Sequence, residues 1–420
     1  MRGIKFMQEY SRHIENRVKR ISKYFKVILL VGARQVGKST LFKKVFPKSQ
    51  CITFDAFNDE FVAKKDPDLF LKSFPSPIIL DEVQYVPELL SAVKRKVDKS
   101  PKFGQYFLTG SQNLMMLKSV SESMAGRVGI LELSPMTYFE LNKKYDQNFL
   151  EIYLKKPESL LKKFSGCLHP KKNLYEILWR GGFPALLKIP NEGVRDYFSS
   201  YVKTYLERDV RTFGNVSDIR QFDRFLSIAA ALTAQEINYS HLGREIGIVP
   251  ATAGKWLDVL SCSYLWFELL PFNFNVIKRV SKKRKGHILD SGLTCYLQKI
   301  TSPEALAASP LKGAIFESYC ISMIKALTEV KNSGIGFSHF RTDGGAEVDL
   351  ILEQNGWLYP IEIKCKSYLD HYDKRGIESF CKTFPKRKIA HGLIIYAGEE
   401  CYKLSDKIIA MPWNALFGKK

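Results

Sequence analysis

Val27-Ile28-Leu29-Leu30-Val31-Gly32-Ala33-Arg34-Gln35-Val36-Gly37-Lys38-Ser39-Thr40 decides the fold of the N-terminal part of this chain. An unbroken apolar run, suited to a buried strand, stops at a glycine-bounded loop. Leu41-Phe42-Lys43-Lys44-Val45 then resumes with helix-favouring residues. The loop reads Gly-x4-Gly-Lys-Ser between a strand and a helix start, the setting a phosphate-binding loop requires. Gly32 and Gly37 let the backbone curl until its N–H groups face an anion, and the helix N-terminus adds about half a positive charge. In this reading Gly32, Ala33, Arg34, Gln35, Val36, Gly37 and Thr40 form the cradle. Lys38 reaches the β- and γ-phosphates, and the Ser39 hydroxyl ligates Mg²⁺.

Outward from the loop, strand candidates at 27–31, 51–54, 77–81, 105–109 and 128–133 alternate with helical stretches, as in a parallel α/β sheet. Ile78-Ile79-Leu80-Asp81-Glu82 is an apolar strand ending in two acids. Asp81 is placed to hold the metal and Glu82 to polarise attacking water, on a strand expected to neighbour the loop. Tyr106-Phe107-Leu108-Thr109-Gly110-Ser111-Gln112 brings polar groups to the same sheet edge. Thr109, Ser111 or Gln112 is a candidate γ-phosphate sensor, and Ser111 suits a helix N-cap equally well. Arg127 is a candidate for steadying transition-state charge, in its own site or a neighbouring subunit's; a surface or packing role competes.

A chain of 420 residues exceeds one hydrophobic core. Residues 1–24 form a basic amphipathic helix, with Tyr10, Ile14, Val18 and Ile21 inward and Arg12 and Arg17 on other faces. The expected units are an ATPase core over 1–135, a helical lid over 136–233, a winged helix over 234–300 and an α+β unit over 301–420. In the third unit, two short helices around Gly247 precede a strand at 264–272, the order of a winged helix-turn-helix. Its second helix offers Lys255 to nucleic acid, and Lys278, Arg279, Lys282, Lys283, Arg284 and Lys285 sit where a wing tip falls, suited to phosphate contacts.

Near the C-terminus, Asp349 and the Glu362-Ile363-Lys364 tripeptide lie on two strand candidates joined through Gln354-Asn355-Gly356. Strand alternation puts Glu362 and Lys364 on one face. Two acids and a lysine suit metal-dependent phosphodiester cleavage, with Glu317 on the preceding helix as a further carboxylate. A cross-strand salt bridge is the competing reading. The spacing resembles the PD-(D/E)xK nuclease fold.

The composition narrows the partners. A net charge of +21 favours a polyanion, DNA above all. No apolar run reaches membrane-span length, and the N-terminus lacks the apolar core of a signal peptide, so a cytoplasmic location is expected with no membrane partner. The eight cysteines are scattered, without Cys-x-x-Cys, and read as free thiols rather than zinc ligands. The oligomeric state stays open, a homo-oligomer included.

Four segments carry a family likeness: Gly32 to Thr40, Ile79-Leu80-Asp81-Glu82-Val83-Gln84, Leu108-Thr109-Gly110-Ser111-Gln112 and Ser123-Met124-Ala125-Gly126-Arg127-Val128. With Gly181-Gly182-Phe183-Pro184, Tyr205 to Val210, Leu289 to Leu293 and Glu347 to Leu350, they resemble the bacterial and archaeal AAA-type ATPases that carry a C-terminal DUF4143 domain. The resemblance spans roughly residues 25–370, with 234–420 taken as DUF4143-like together with part of the lid. It implies an AAA-like ATPase core and favours ATP over GTP, no guanine-reading Asn-Lys-x-Asp being found. The fold expected is thus an α/β multidomain chain: a P-loop parallel sheet, helical lid, winged helix and PD-(D/E)xK nuclease-like domain. Its cofactors would be ATP and Mg²⁺, and hydrolysis would modulate DNA binding or processing. The rival is a nucleotide-dependent switch for a protein partner, with slow ATPase and an inactive nuclease-like domain.

Overall fold

A computed structural model describes residues 10–54, 57–111, 124–142, 148–164, 173–206, 218–273, 283–331 and 334–417. Its N-terminal sheet holds β1 (Val27–Val31), β2 (Gln50–Thr53), β3 (Ile78–Asp81), β4 (Tyr106–Gly110) and β5 (Val128–Glu132) in the order β2-β3-β4-β1-β5. Every pairing is parallel. Helices cover such a sheet on both faces, so its central strands are apolar throughout, and β1, β3 and β4 are buried along their whole length. The sequence placed Asp81 on a strand beside the loop-bearing one. Instead β4 lies between β1 and β3, and this interposition brings Thr109 into the site.

The helix Glu15–Ile21 turns Ile14, Val18 and Ile21 into the core, as the periodicity predicts. Arg12 and Arg17, assigned to outer faces, are buried as well. Each has found a carboxylate: Arg17 pairs with Glu329 at 3.0 Å and Arg12 with Glu140 at 3.1 Å. Sequence periodicity registers apolar faces only, so it cannot flag a buried ion pair with a distant partner.

The helices from Tyr138–Asn142 to Ile219–Ala231 form the middle of the chain. The helices Tyr239–Ile246 and Pro250–Cys262 follow, joined at Gly247, whose φ of 72° is the left-handed turn that glycine accepts freely. Trp256 packs between Phe222 and Phe225 and is core, while Lys255 stays exposed. Lys278, Arg279 and Lys282 lie outside the described residues.

A second sheet then runs through the rest of the molecule. Its strands are β6 (Gln235–Glu236), β7 (Trp266–Pro271), β8 (Lys285–Ile288), β9 (Gly336–Arg341), β10 (Glu347–Gln354), β11 (Trp357–Lys364), β12 (Lys388–Ile389), β13 (Gly392–Tyr396), β14 (Tyr402–Ser405) and β15 (Ile408–Pro412). The order is β14-β15-β13-β11-β10-β9-β7-β8-β6, with β12 beside β11. The β7–β8 hairpin therefore does not stand apart as a wing. Leu270 and Pro271 on β7 pair in parallel with Ser338 and His339 on β9, and the two C-terminal units share one sheet.

One knot ties the helical middle to this C-terminal half. Asp290 caps the helix Ser291–Leu297, accepting from Leu293 N at 2.8 Å, and its other oxygen accepts from Gly182 N at 2.7 Å. A side chain on Gly181 would meet Asp290 Oδ1 at 2.5 Å, so only glycine fits there. Burial raises the Asp290 carboxyl to about 6, against the pull of its backbone donors.

Candidate active site

The loop between β1 and the helix Lys38–Val45 owes its course to its two glycines. Gly32 has φ 147°, and a Cβ there would lie 2.3 Å from Leu133 O. Gly37, at φ 93°, precedes a helix with no acidic residue in its own first turn. Lys38 is buried and turned back into the loop, donating to Gly32 O at 3.0 Å and Ala33 O at 2.9 Å.

Asp81, at the end of β3, gathers hydroxyls. Its Oδ1 accepts from Ser39 Oγ and from Thr109 Oγ1, the latter at 2.5 Å, and Thr53 Oγ1 lies 3.3 Å from Oδ2. A hydroxyl and a carboxylate meeting beside a phosphate loop form a hard-oxygen donor set that suits Mg²⁺. Glu82 follows in a left-handed conformation, φ 58°, which turns its side chain along the sheet edge. Gln84 Nε2 donates to Glu82 Oε2 at 2.5 Å and Ser111 Oγ donates to the same oxygen at 3.0 Å, while the backbone N–H of Glu82 donates to Thr109 Oγ1 at 3.0 Å. Burial works to raise the Glu82 carboxyl, but Lys38, the Gln84 hydrogen bond and Arg34 together hold it below the usual range. Glu82 is thus an ionised base, fixed in place, at neutral pH.

The structure brings together Lys38, Ser39, Asp81, Glu82 and Ser111 as the sequence foresaw, with Ser111 bonded to Glu82. Gln112 lies outside the described residues. Arg34 donates to Tyr85 Oη at 2.8 Å, and Gln35 accepts from Tyr197 Oη at 2.8 Å. Arg127 lies away from its own loop, which leaves its neighbouring-subunit and surface readings. Its carbonyl accepts from Val27 N at 3.2 Å, so it sits where β1 begins, and its side chain pairs with Asp98. The loop leaves the opposite end of that strand, about 16 Å away at strand rise, too far for Arg127 to reach its own site.

Arg12 was not foreseen. Its guanidinium donates to Val36 O at 2.7 Å and Ser134 O at 2.6 Å, locking the N-terminal segment onto the loop. Glu140 backs it: burial would raise that carboxyl, and Arg12 and His13 outweigh burial and lower it. Tyr10, Val36, Leu41, Met136, Pro184 and Leu187 line a small apolar cleft beside this clamp.

A second constellation occupies the C-terminal half. Asp349 on β10 and Glu362 and Lys364 on β11 converge with Glu317 of the helix Lys312–Lys331, as the spacing predicts. Lys364 Nζ lies 2.5 Å from Glu362 Oε1, and Ile363 N donates to Asp349 Oδ2 at 2.9 Å. The unforeseen member is Lys285. Assigned to a wing tip for phosphate contact, it is 2% exposed, with its ammonium 2.6 Å from Glu317, 2.6 Å from Glu347 and 3.0 Å from Asp349. It cannot touch DNA. Arg284 is tied to Glu268 at 3.0 Å, which leaves Lys283 as the exposed described member of that basic run.

Residues 24–142 match the AAA domain model, 171–304 a domain of unknown function, DUF8612, and 312–416 a domain of unknown function, DUF4143. The DUF4143 match is thus shorter than the span the resemblance suggested. The uncharacterized protein Rv2008c of Mycobacterium tuberculosis is 28% identical over 92% of this chain and 80% of its own length. The uncharacterized protein MJ1544 of Methanocaldococcus jannaschii is 24% identical over 87% of this chain and 80% of its own. Among solved structures, the Walker-type ATPase PABY2304 of Pyrococcus abyssi aligns with a TM-score of 0.42 and 17% identity, over 69% of this chain and 96% of that one. The Thermotoga maritima RuvB Holliday junction branch migration motor aligns with a TM-score of 0.28 and 16% identity, over 64% and 89%. With the phosphate loop in place, the chain carries an AAA domain over residues 24–142 and a C-terminal DUF4143 domain over 312–416.

Proposed function

We propose that this protein binds ATP with Mg²⁺ and hydrolyses it, and that the nucleotide state modulates binding to DNA. The observation that carries the hydrolytic reading is the Glu82 carboxylate, ionised and held by Gln84 and Ser111 next to a Ser39–Asp81 pair. Ser39 and Asp81 hold the metal, which supplies charge neutralisation on the phosphates. Lys38 releases the loop carbonyls and turns to the phosphates. Glu82 orients water toward the terminal phosphate, and Ser111 and Thr109 report its presence to the strand edge.

Lys38→Ala is expected to weaken binding of a fluorescent ATP analogue at least about tenfold, or ~1.4 kcal/mol. Equal affinity in the folded variant would refute the phosphate role.

DNA is favoured as the partner by the +21 charge and by exposed Lys255 and Lys283 around the paired helices. If phosphate contacts drive this binding, the logarithm of affinity falls linearly with the logarithm of salt, by about 0.9 per phosphate neutralised. Fluorescence anisotropy on a short duplex at rising NaCl checks this, with Lys255→Glu and Lys283→Glu each reducing the slope. A flat response would move the assignment to a protein partner.

A further inference from the structure

The carboxylates of Glu317, Glu347 and Asp349, drawn from a helix and one strand, surround a single point, and that point is held by the Lys285 ammonium. We propose that Lys285 takes the place of a divalent cation in this centre, so that the centre is a lysine-sealed ion cluster rather than a metal-dependent nuclease site.

The stoichiometry supports the assignment. An ammonium has three donors and no acceptor; here it donates to Glu347 at 2.6 Å and to Asp349 at 3.0 Å, and Glu317 lies 2.6 Å away as an ion pair. Mg²⁺ or Mn²⁺ would need about six oxygens close to octahedral, and entering beside Lys285 it would set a double positive charge against a buried single one a few ångströms away. Among the described residues, no group of three or more His, Cys, Asp and Glu is arranged to hold a metal ion.

The lysine is also anchored. Lys285 lies opposite Glu236 on β6 and Leu269 on β7, so its strand is flanked on both sides within the sheet. A side chain on the next residue, Gly286, would meet Trp266 at 1.9 Å, which presses β8 against β7 and leaves no room to slide. The neighbouring charges are consistent. Lys364 already lies 2.5 Å from Glu362, and His287 and His339, both buried beside the cluster, are held neutral by burial and by Lys285.

Mn²⁺ titration of the nucleotide-free full chain, followed by electron paramagnetic resonance, tests the assignment, with Asp349→Asn subtracting ions bound elsewhere. The wild type is expected to show no Mn²⁺ that Asp349→Asn removes. Lys285→Met keeps the side-chain volume, deletes the charge, and is expected to gain one Mn²⁺ at least about tenfold tighter than any wild-type binding, lost again in the Lys285→Met/Asp349→Asn pair. An Asp349-dependent Mn²⁺ in the wild type overturns the proposal, as does a folded Lys285→Met that binds none. Should Lys285→Met fail to fold, the wild-type titration alone decides between a sealed and an open centre, because it needs no substitution at Lys285.

Discussion

Glu82→Gln is expected to lower steady-state ATP turnover by about a hundredfold or more while leaving nucleotide affinity within about twofold of wild type. The amide keeps the size of the side chain and can still meet Ser111, but it cannot accept a proton from, or align the lone pairs of, an attacking water. Its contacts with Gln84 and Ser111 fix it in place, so the substitution removes chemistry rather than geometry. Phosphate release measured beside equilibrium binding separates the two effects. Turnover unchanged in a variant that still binds ATP would show that water is polarised by another group.

Asp290→Ala is expected to destabilise the folded chain by about 3 kcal/mol, of which about 1 kcal/mol comes from the lost helix cap. The rest comes from leaving the buried Gly182 N–H without an acceptor. The loss should depend on pH with a definite sign. Asp290 titrates near 6 in the folded chain against 3.8 when unfolded, so between those values the folded state binds more protons. The stabilisation that proton brings is complete below about 3.8 and is lost as pH rises through about 6. The gap between wild type and variant should therefore widen by roughly 1 kcal/mol from about pH 7.5 to about pH 5, as read from urea midpoints. A gap that narrowed toward acid would mean that the carboxylate, not the acid, fits the knot.

The contrast between what was and was not legible follows from the range of each interaction. The loop at 32–39 and the acids at 81–82 announce themselves because strand, turn and helix there are contiguous, so local composition encodes them. Asp349, Glu362 and Lys364 were readable for the same reason, lying on a hairpin whose alternation sets which side chains share a face. Arg12 and Lys285 were misjudged, and Arg127 was left between two roles, because a lone cation carries no local mark of its partner. Arg12 meets Glu140, Arg127 meets Asp98, and Lys285 meets carboxylates from residues 317 to 349. Strand order has the same limit. Nothing between residues 27 and 110 reveals that β4 inserts between β1 and β3, yet that insertion is why Thr109 bonds Asp81.

The pairing of β7 with β9 has a mechanical meaning. A sheet that crosses a domain border without interruption behaves as a beam, and Lys285 rivets a second strand of the hairpin to β10 and to the helix behind it. The paired helices at 239–262 and the DUF4143 sheet are therefore one stiff piece. The helical middle joins this piece through the hydrogen bond from Gly182 N to Asp290.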